Sequence, residues 1–139
     1  MQNKVLFLCV ANSARSQIAE GLAKVILRGK AEVNSAGSIP KKLNPLAVQV
    51  MNEVGIDISN HYSKAIHDLP MAFQENLTHV VTLCADEVCP ATLPSSAKRL
   101  HWPLVDPAAE EGTVESRLES FRKTRNDLAP LLESLALSL

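Results

Sequence analysis

The chain is poor in the features that mark several broad protein classes. Among 139 residues there are only three cysteines, Cys9, Cys84 and Cys89. An odd and small number argues against a structural disulfide framework. Zinc is disfavoured too, because the thiols form no paired Cys-x-x-Cys motifs and His61, His67, His79 and His101 are scattered. The expectation is no bound metal. No apolar run approaches a membrane span, and no charged leader with a long apolar stretch opens the chain. A formal net charge of −1 provides no basic field for nucleic acid and no acidic tail. Aromatic residues make up only 4%, too few to wall a pocket for a large ring. These absences leave a cytoplasmic globular protein. Its three thiols are either inert and buried or reactive, and their surroundings must decide which.

What is present reads as alternating strands and helices. "KVLFLCV" is a continuous apolar run and predicts a buried strand. "SQIAEGLAKVILRG" places Ile18, Leu22, Val25 and Ile26 at helical spacing, with Gly29 as a stop. "AEVNSAG" predicts a second strand. Asn44 as cap and Pro45 as first residue predict a helix ending near Gly55. The polar segment from Ile56 to Pro70 predicts irregular chain with a helical turn. "LTHVVTLC" predicts another buried strand, and "KRLHWPLVDPAAEEG" a short strand followed by a Pro-rich loop. From about Thr113 the pattern is helical, with Leu118, Phe121, Arg125, Leu128 and Leu132 on one side; Pro130 predicts a kink or a split. This alternation implies a single α/β domain over residues 1–139, a parallel sheet with helices on both faces. Ligands of such sheets bind at the carboxyl ends of strands. Cys9 and Cys84 each end a strand and Asp106 follows the fourth, so all three are expected at one edge.

Cys9 and Arg15 bracket a short loop between the first strand and the first helix. Such a loop can turn its N–H groups inward as a nest for a tetrahedral oxyanion, backed by the helix N-terminus. The expected binding residues are Val10, Ala11, Asn12, Ser13, Ala14 and Arg15, whose guanidinium offers a planar fork. The same field favours the thiolate of Cys9, and Ser16 can donate a hydrogen bond to its sulfur. Asp106, in "VDPA", would ordinarily only initiate a turn before Pro107. Beside an anion loop it becomes a proton donor to a leaving oxygen.

"FLCVANSARSQIAEG" resembles the phosphate loop of the low-molecular-weight tyrosine phosphatase fold. "VNSAG", "NPLAVQVMNEVGIDISNHYSK", "VVTLC…CP", "HWPLVDPA" and the final helix are similar to arsenate reductases built on that fold, over almost the whole chain. The resemblance implies a three-layer sandwich with a four-stranded parallel sheet. It implies Cys9 as nucleophile, Arg15 as oxyanion binder, Asp106 as general acid, and Cys84 and Cys89 as a redox pair. It further implies a relay: Cys84 attacks Cys9 of the thiol–arsenic adduct, arsenite leaves, and Cys89 then attacks Cys84 and frees Cys9. No cofactor would be bound. An external reductant such as thioredoxin would be required, with glutaredoxin or a low-molecular-weight thiol as alternatives, and the protein would act as a monomer in arsenical resistance. A phosphotyrosine or phosphomonoester phosphatase is the alternative function. Reductases of this type can also hold a potassium ion beside the loop with an Asn, a Glu, a Ser and an Asp. Asn12, Glu20 and Ser35 match three of these, and Lys64 stands where the Asp is expected. An ammonium offers only donors, so Lys64 is expected to take the ion's place beside Glu20. The "ADEV" between Cys84 and Cys89 contains good helix formers and predicts a partly helical segment.

Overall fold

The computed structural model describes residues 2–84 and 93–139. Cys89 and the "ADEV" segment lie outside the described residues. Four strands form one sheet: β1 (Asn3–Cys9), β2 (Ala31–Gly37), β3 (His79–Thr82) and β4 (Lys98–His101). Their order is β2-β1-β3-β4, and every pairing is parallel. β1 is central, so its run of apolar residues is buried on both faces, as its sequence predicts. Its side chains alternate between two cores. Val5, Phe7 and Cys9 face α1 (Arg15–Ile26), α2 (Pro45–Asn52) and α4 (Val114–Ser138). Leu6 and Leu8 face Leu69, Phe73, Leu77 and Val80, where α3 (Met71–Glu75) packs. Each such fully buried side chain contributes about 1.5–3 kcal/mol.

The helix boundaries follow local chemistry. The Asn44 side chain accepts the N–H of Leu46 with Pro45 at the first position, and Thr113 caps α4 by accepting from Ser116. Two expectations need correction, and one element was missed. Val25 is 47% exposed, and Leu27, just past the end of α1, is fully buried in its place. α4 continues through Pro130, so of the kink or split expected there the split does not occur. Proline removes one N–H and crowds the preceding turn, but buried Leu128, Leu132 and Leu135 hold both halves against the core. α3 was not foreseen; five residues are too few for a periodic signal. The helical turn foreseen in the polar segment is a 3₁₀ turn at Ile66–Asp68. Among the described residues no helix is long and apolar enough to cross a membrane.

Candidate active site

Parallel strands all deliver their carboxyl ends to one edge. β1 ends at Cys9, β3 leads directly to Cys84, and the chain after β4 brings Asp106 to the same place. The loop from Val10 to Ala14 then enters α1.

The loop is shaped by what its carbonyls do. The Val10 carbonyl accepts the N–H of Ile39, that of Ala11 accepts Lys41, and that of Ser13 accepts Asn44, each at 2.9 Å. The Asn12 carbonyl accepts the Ser63 hydroxyl at 2.6 Å and the Gln17 amide at 3.1 Å. The Ala14 carbonyl starts the ladder of α1 by accepting Ile18. In a trans peptide the carbonyl and the following N–H point in opposite directions. Five carbonyls held outward therefore turn the N–H groups of residues 11–15 inward, which is an anion nest at a helix N-terminus. Val10 departs from expectation. Its N–H precedes this series and donates to the Cys84 sulfur at 3.1 Å, so it is committed to a thiol and not to the nest.

Asn12 sets the loop's internal order. It is fully buried and adopts φ 49°, a left-handed conformation that Asn tolerates better than most residues. Its side-chain oxygen accepts from Gln17 at 3.1 Å and from the Lys64 backbone N–H at 3.0 Å. Its amide nitrogen must then supply both protons. They go to Ser16 Oγ at 2.7 Å and Ser35 Oγ at 3.0 Å. Ser16 Oγ lies 2.9 Å from Cys9 Sγ. With Asn12 donating to it, Ser16 can point its own proton at the sulfur. The Ser35 hydroxyl likewise donates to Glu20 Oε1 at 2.5 Å.

These contacts set the acidity of the thiols. Cys9 is lowered to about 6 by a hydrogen bond from Cys84, against the opposing effect of burial, with help from Ser16 and the backbone N–H groups of Ser16 and Asn12. Cys84 is pushed up by its hydrogen bond to Cys9 and by burial. One sulfur is thus a thiolate near neutrality and the other keeps its proton. Both thiols are free and buried.

Arg15 donates to the Leu104 carbonyl at 3.1 Å and lies 4.0 Å from Asp106. Asp106 accepts the N–H of Ala108 at 3.0 Å through its other oxygen. It therefore does both things weighed for it: it caps the turn at Pro107–Ala109 and faces the arginine.

Behind the loop, Glu20 is buried and faces three cationic or titratable side chains: Lys24 at 2.8 Å, His61 at 3.5 Å and Lys64 at 3.5 Å. Burial pushes the Glu20 carboxyl up. The hydrogen bonds from Lys24 and Ser35 and the charges of Lys64 and His61 outweigh it and hold the group below its ordinary range. Lys64, only 7% exposed, also donates to the Tyr62 carbonyl at 3.4 Å and lies 5.0 Å above the Tyr62 ring. Asn12, Glu20, Ser35 and Lys64 are thus brought together. An ammonium 3.5 Å from the carboxylate does not fit a potassium ion at that place. Among the described residues no group of three His, Cys, Asp or Glu side chains is poised to hold a metal.

Two contributors were missed from sequence. Gln17 is fully buried and binds Asn12 and the Tyr62 carbonyl. His61, read as a surface or packing residue, lies 3.0 Å from Gln17 and beside Glu20, and burial lowers its basicity.

A family model described as low molecular weight phosphotyrosine protein phosphatase matches residues 4–139. The chain belongs to that family. The chain is 45% identical to a curated arsenate reductase of Shouchella clausii, covering 98% of this chain and 97% of that one. A solved arsenate reductase in the phosphate binding state superposes with a TM-score of 0.84 at 34% identity, covering 99% and 98%. A thioredoxin-dependent arsenate reductase of Corynebacterium glutamicum superposes at 0.72 with 29% identity, covering 99% of this chain and 64% of that one. The four-stranded parallel sheet is thus that of the phosphatase family.

Proposed function

We propose that this protein is an arsenate reductase working by a three-cysteine relay. The observation that carries the reading is the placement of Cys84, whose sulfur accepts the Val10 N–H at 3.1 Å, one peptide unit from Cys9. A phosphatase of this fold needs a nucleophile, an arginine and an acid; ester hydrolysis has no step that consumes a second thiol. A disulfide-forming step does consume a second thiol close to the nucleophile, and the position of Cys84 supports that role.

Arsenate binds to the N–H groups of residues 11–15, and the Arg15 guanidinium turns from Leu104 to grip two of its oxygens. The Cys9 thiolate attacks arsenic. Hydroxide leaves and takes a proton from Asp106, departing as water. Cys84 then loses its proton and attacks the Cys9 sulfur. The sulfur–arsenic bond breaks, its electron pair stays on arsenic, and pentavalent arsenic becomes trivalent as arsenite leaves. Cys89 attacks Cys84, frees Cys9 and leaves a Cys84–Cys89 disulfide. An external dithiol supplies the two electrons that reopen it. The thioredoxin dependence of the Corynebacterium relative favours thioredoxin over glutaredoxin or a small thiol. Free thiols as working parts suit a reducing compartment, the cytoplasm. Weak phosphatase activity is the second reading, since the first displacement is common to both reactions.

The test is arsenate-dependent NADPH oxidation with thioredoxin and thioredoxin reductase, run beside hydrolysis of an aryl phosphate. Arsenate turnover well above ester hydrolysis supports the reductase; hydrolysis alone returns the protein to the phosphatases.

A further inference from the structure

We propose that the cavity behind the anion loop is a second small-molecule site, which takes a flat ring bearing two neighbouring negative charges and tightens the loop when filled. The cavity has a volume of about 550 Å3, within the range of ligand-binding clefts. Leu43, Pro45 and Val48 give it an apolar wall and Tyr62 an aromatic one. Tyr62 is 65% exposed, and Lys64 stands over its ring at 5.0 Å. One ring face is thus taken by a charge and the other is left for a stacking partner. The polar side of the cavity is cationic. Lys41 and Lys42 both line it, and among the described residues no Asp or Glu does. Neither lysine takes part in an ion pair among the described residues. The neighbouring polar groups are already committed. The Ser63 hydroxyl donates to the Asn12 carbonyl, the Ser59 N–H to Asp57 at 2.8 Å, and His61 Nδ1 lies 3.0 Å from Gln17. What remains is two ammonium groups, point charges without the convergent N–H cradle of the anion loop. A pair of adjacent planar carboxylates suits them, and the ring that carries the pair reaches Tyr62.

The cavity is tied to the loop by two hydrogen bonds. The Lys41 N–H holds the Ala11 carbonyl at 2.9 Å, and the Ser63 hydroxyl holds that of Asn12 at 2.6 Å. Lys41 belongs to the segment entering α2 and Ser63 to the irregular segment after it. A ligand that touches both segments fixes their spacing, and with it two of the carbonyls that turn the loop's N–H groups inward. Filling the cavity and filling the loop therefore favour each other by equal factors. The inference needs only the cavity and the anion loop, and it is independent of the reductase reading.

The probe is phthalate, titrated into isotope-labelled protein and followed by amide NMR shifts at physiological ionic strength, where salt screens the field between separate sites. The shifts should centre on Lys42, Tyr62 and Ser63. Maleate has the two charges without the ring, and benzyl alcohol has the ring without the charges. Each should bind about fivefold more weakly. Lys42→Ala and Tyr62→Ala should each weaken phthalate binding by about the same factor, roughly fivefold, and Tyr62→Phe should retain it. With phthalate saturating, calorimetry should show inorganic phosphate binding the loop about fivefold more tightly. Without phthalate, Lys42→Ala should bind phosphate like its parent. Shifts centred on residues 11–15, phosphate binding that phthalate weakens or leaves unmoved, maleate binding as tight as that of phthalate, or full phthalate affinity in Lys42→Ala would each overturn the assignment.

Discussion

The Val10 N–H donates to the sulfur of Cys84 at 3.1 Å, joining the first amide after the nucleophile to a thiol 74 residues further along the chain. The contact removes that amide from the anion nest. In exchange it fixes a proton-bearing sulfur against Cys9, and that sulfur is the main reason Cys9 is acidic.

Alkylation of Cys9 should follow this arrangement. A thiol lowered to about 6 is mostly thiolate at neutral pH and reacts faster as pH rises through that value. The stabilisation that goes with it is present above the ordinary thiol range and is lost as pH falls through about 6. Peptide mapping of iodoacetamide-treated protein across pH should show the midpoint there. Cys84→Ala should move it upward, toward the ordinary value of about 8.5. A midpoint unmoved by that change would assign the acidity to the loop and Ser16 alone.

The thiols should divide their labour. Cys9→Ser should abolish both arsenate reduction and ester hydrolysis. Cys84→Ser and Cys89→Ser should end multiple turnover with thioredoxin yet leave ester hydrolysis measurable. Sustained arsenate turnover by Cys89→Ser would remove Cys89 from the relay.

Gly37 should tolerate no side chain. A Cβ there would lie 2.5 Å from the Val10 carbonyl oxygen and 2.9 Å from the Asn12 nitrogen. Both are backbone atoms of the anion loop and cannot swing aside. Gly37→Ala should cost about 1–3 kcal/mol in chemical denaturation and weaken phosphate binding measured by calorimetry. Full phosphate affinity in this variant would mean the loop yields more easily than its packing implies.

Potassium should not matter to the unmodified protein, because Lys64 already places a positive charge beside Glu20. Initial rates in sodium and potassium salts at equal ionic strength should agree. Lys64→Asp should create a potassium response. Clear potassium activation of the parent would refute the idea that the lysine stands in for the ion.

Much of this was legible in the residues, for a physical reason in each case. β1 is apolar on both faces because it is central, and that made it stand out. Cys9 and Arg15 were readable because an anion nest needs a short loop between strand and helix, with local sequence spacing. Asp106 needed the sheet edge to connect it to the loop, and topology supplied that. Gln17 and His61 were not readable. Their partners sit 44 residues apart in sequence, and a polar side chain shows no sign of burial until the fold closes around it. Val25 misled because periodicity identifies a stripe but not where it ends.

The outward-held carbonyls of the anion loop have an evolutionary consequence. Its shape is maintained by main-chain groups of residues 39, 41 and 44, by the side chains of Ser63 and Gln17, and by the start of α1. The side chains of Val10, Ala11 and Ser13 make none of these bonds. Val10, Ala11 and Ser13 are therefore open to substitution without loss of the loop's bonds, whereas Ala14 is held by core packing and Asn12, Gly37 and Gln17 by the architecture. Substrate preference can be retuned at the rim of such a loop without disturbing the cradle beneath it.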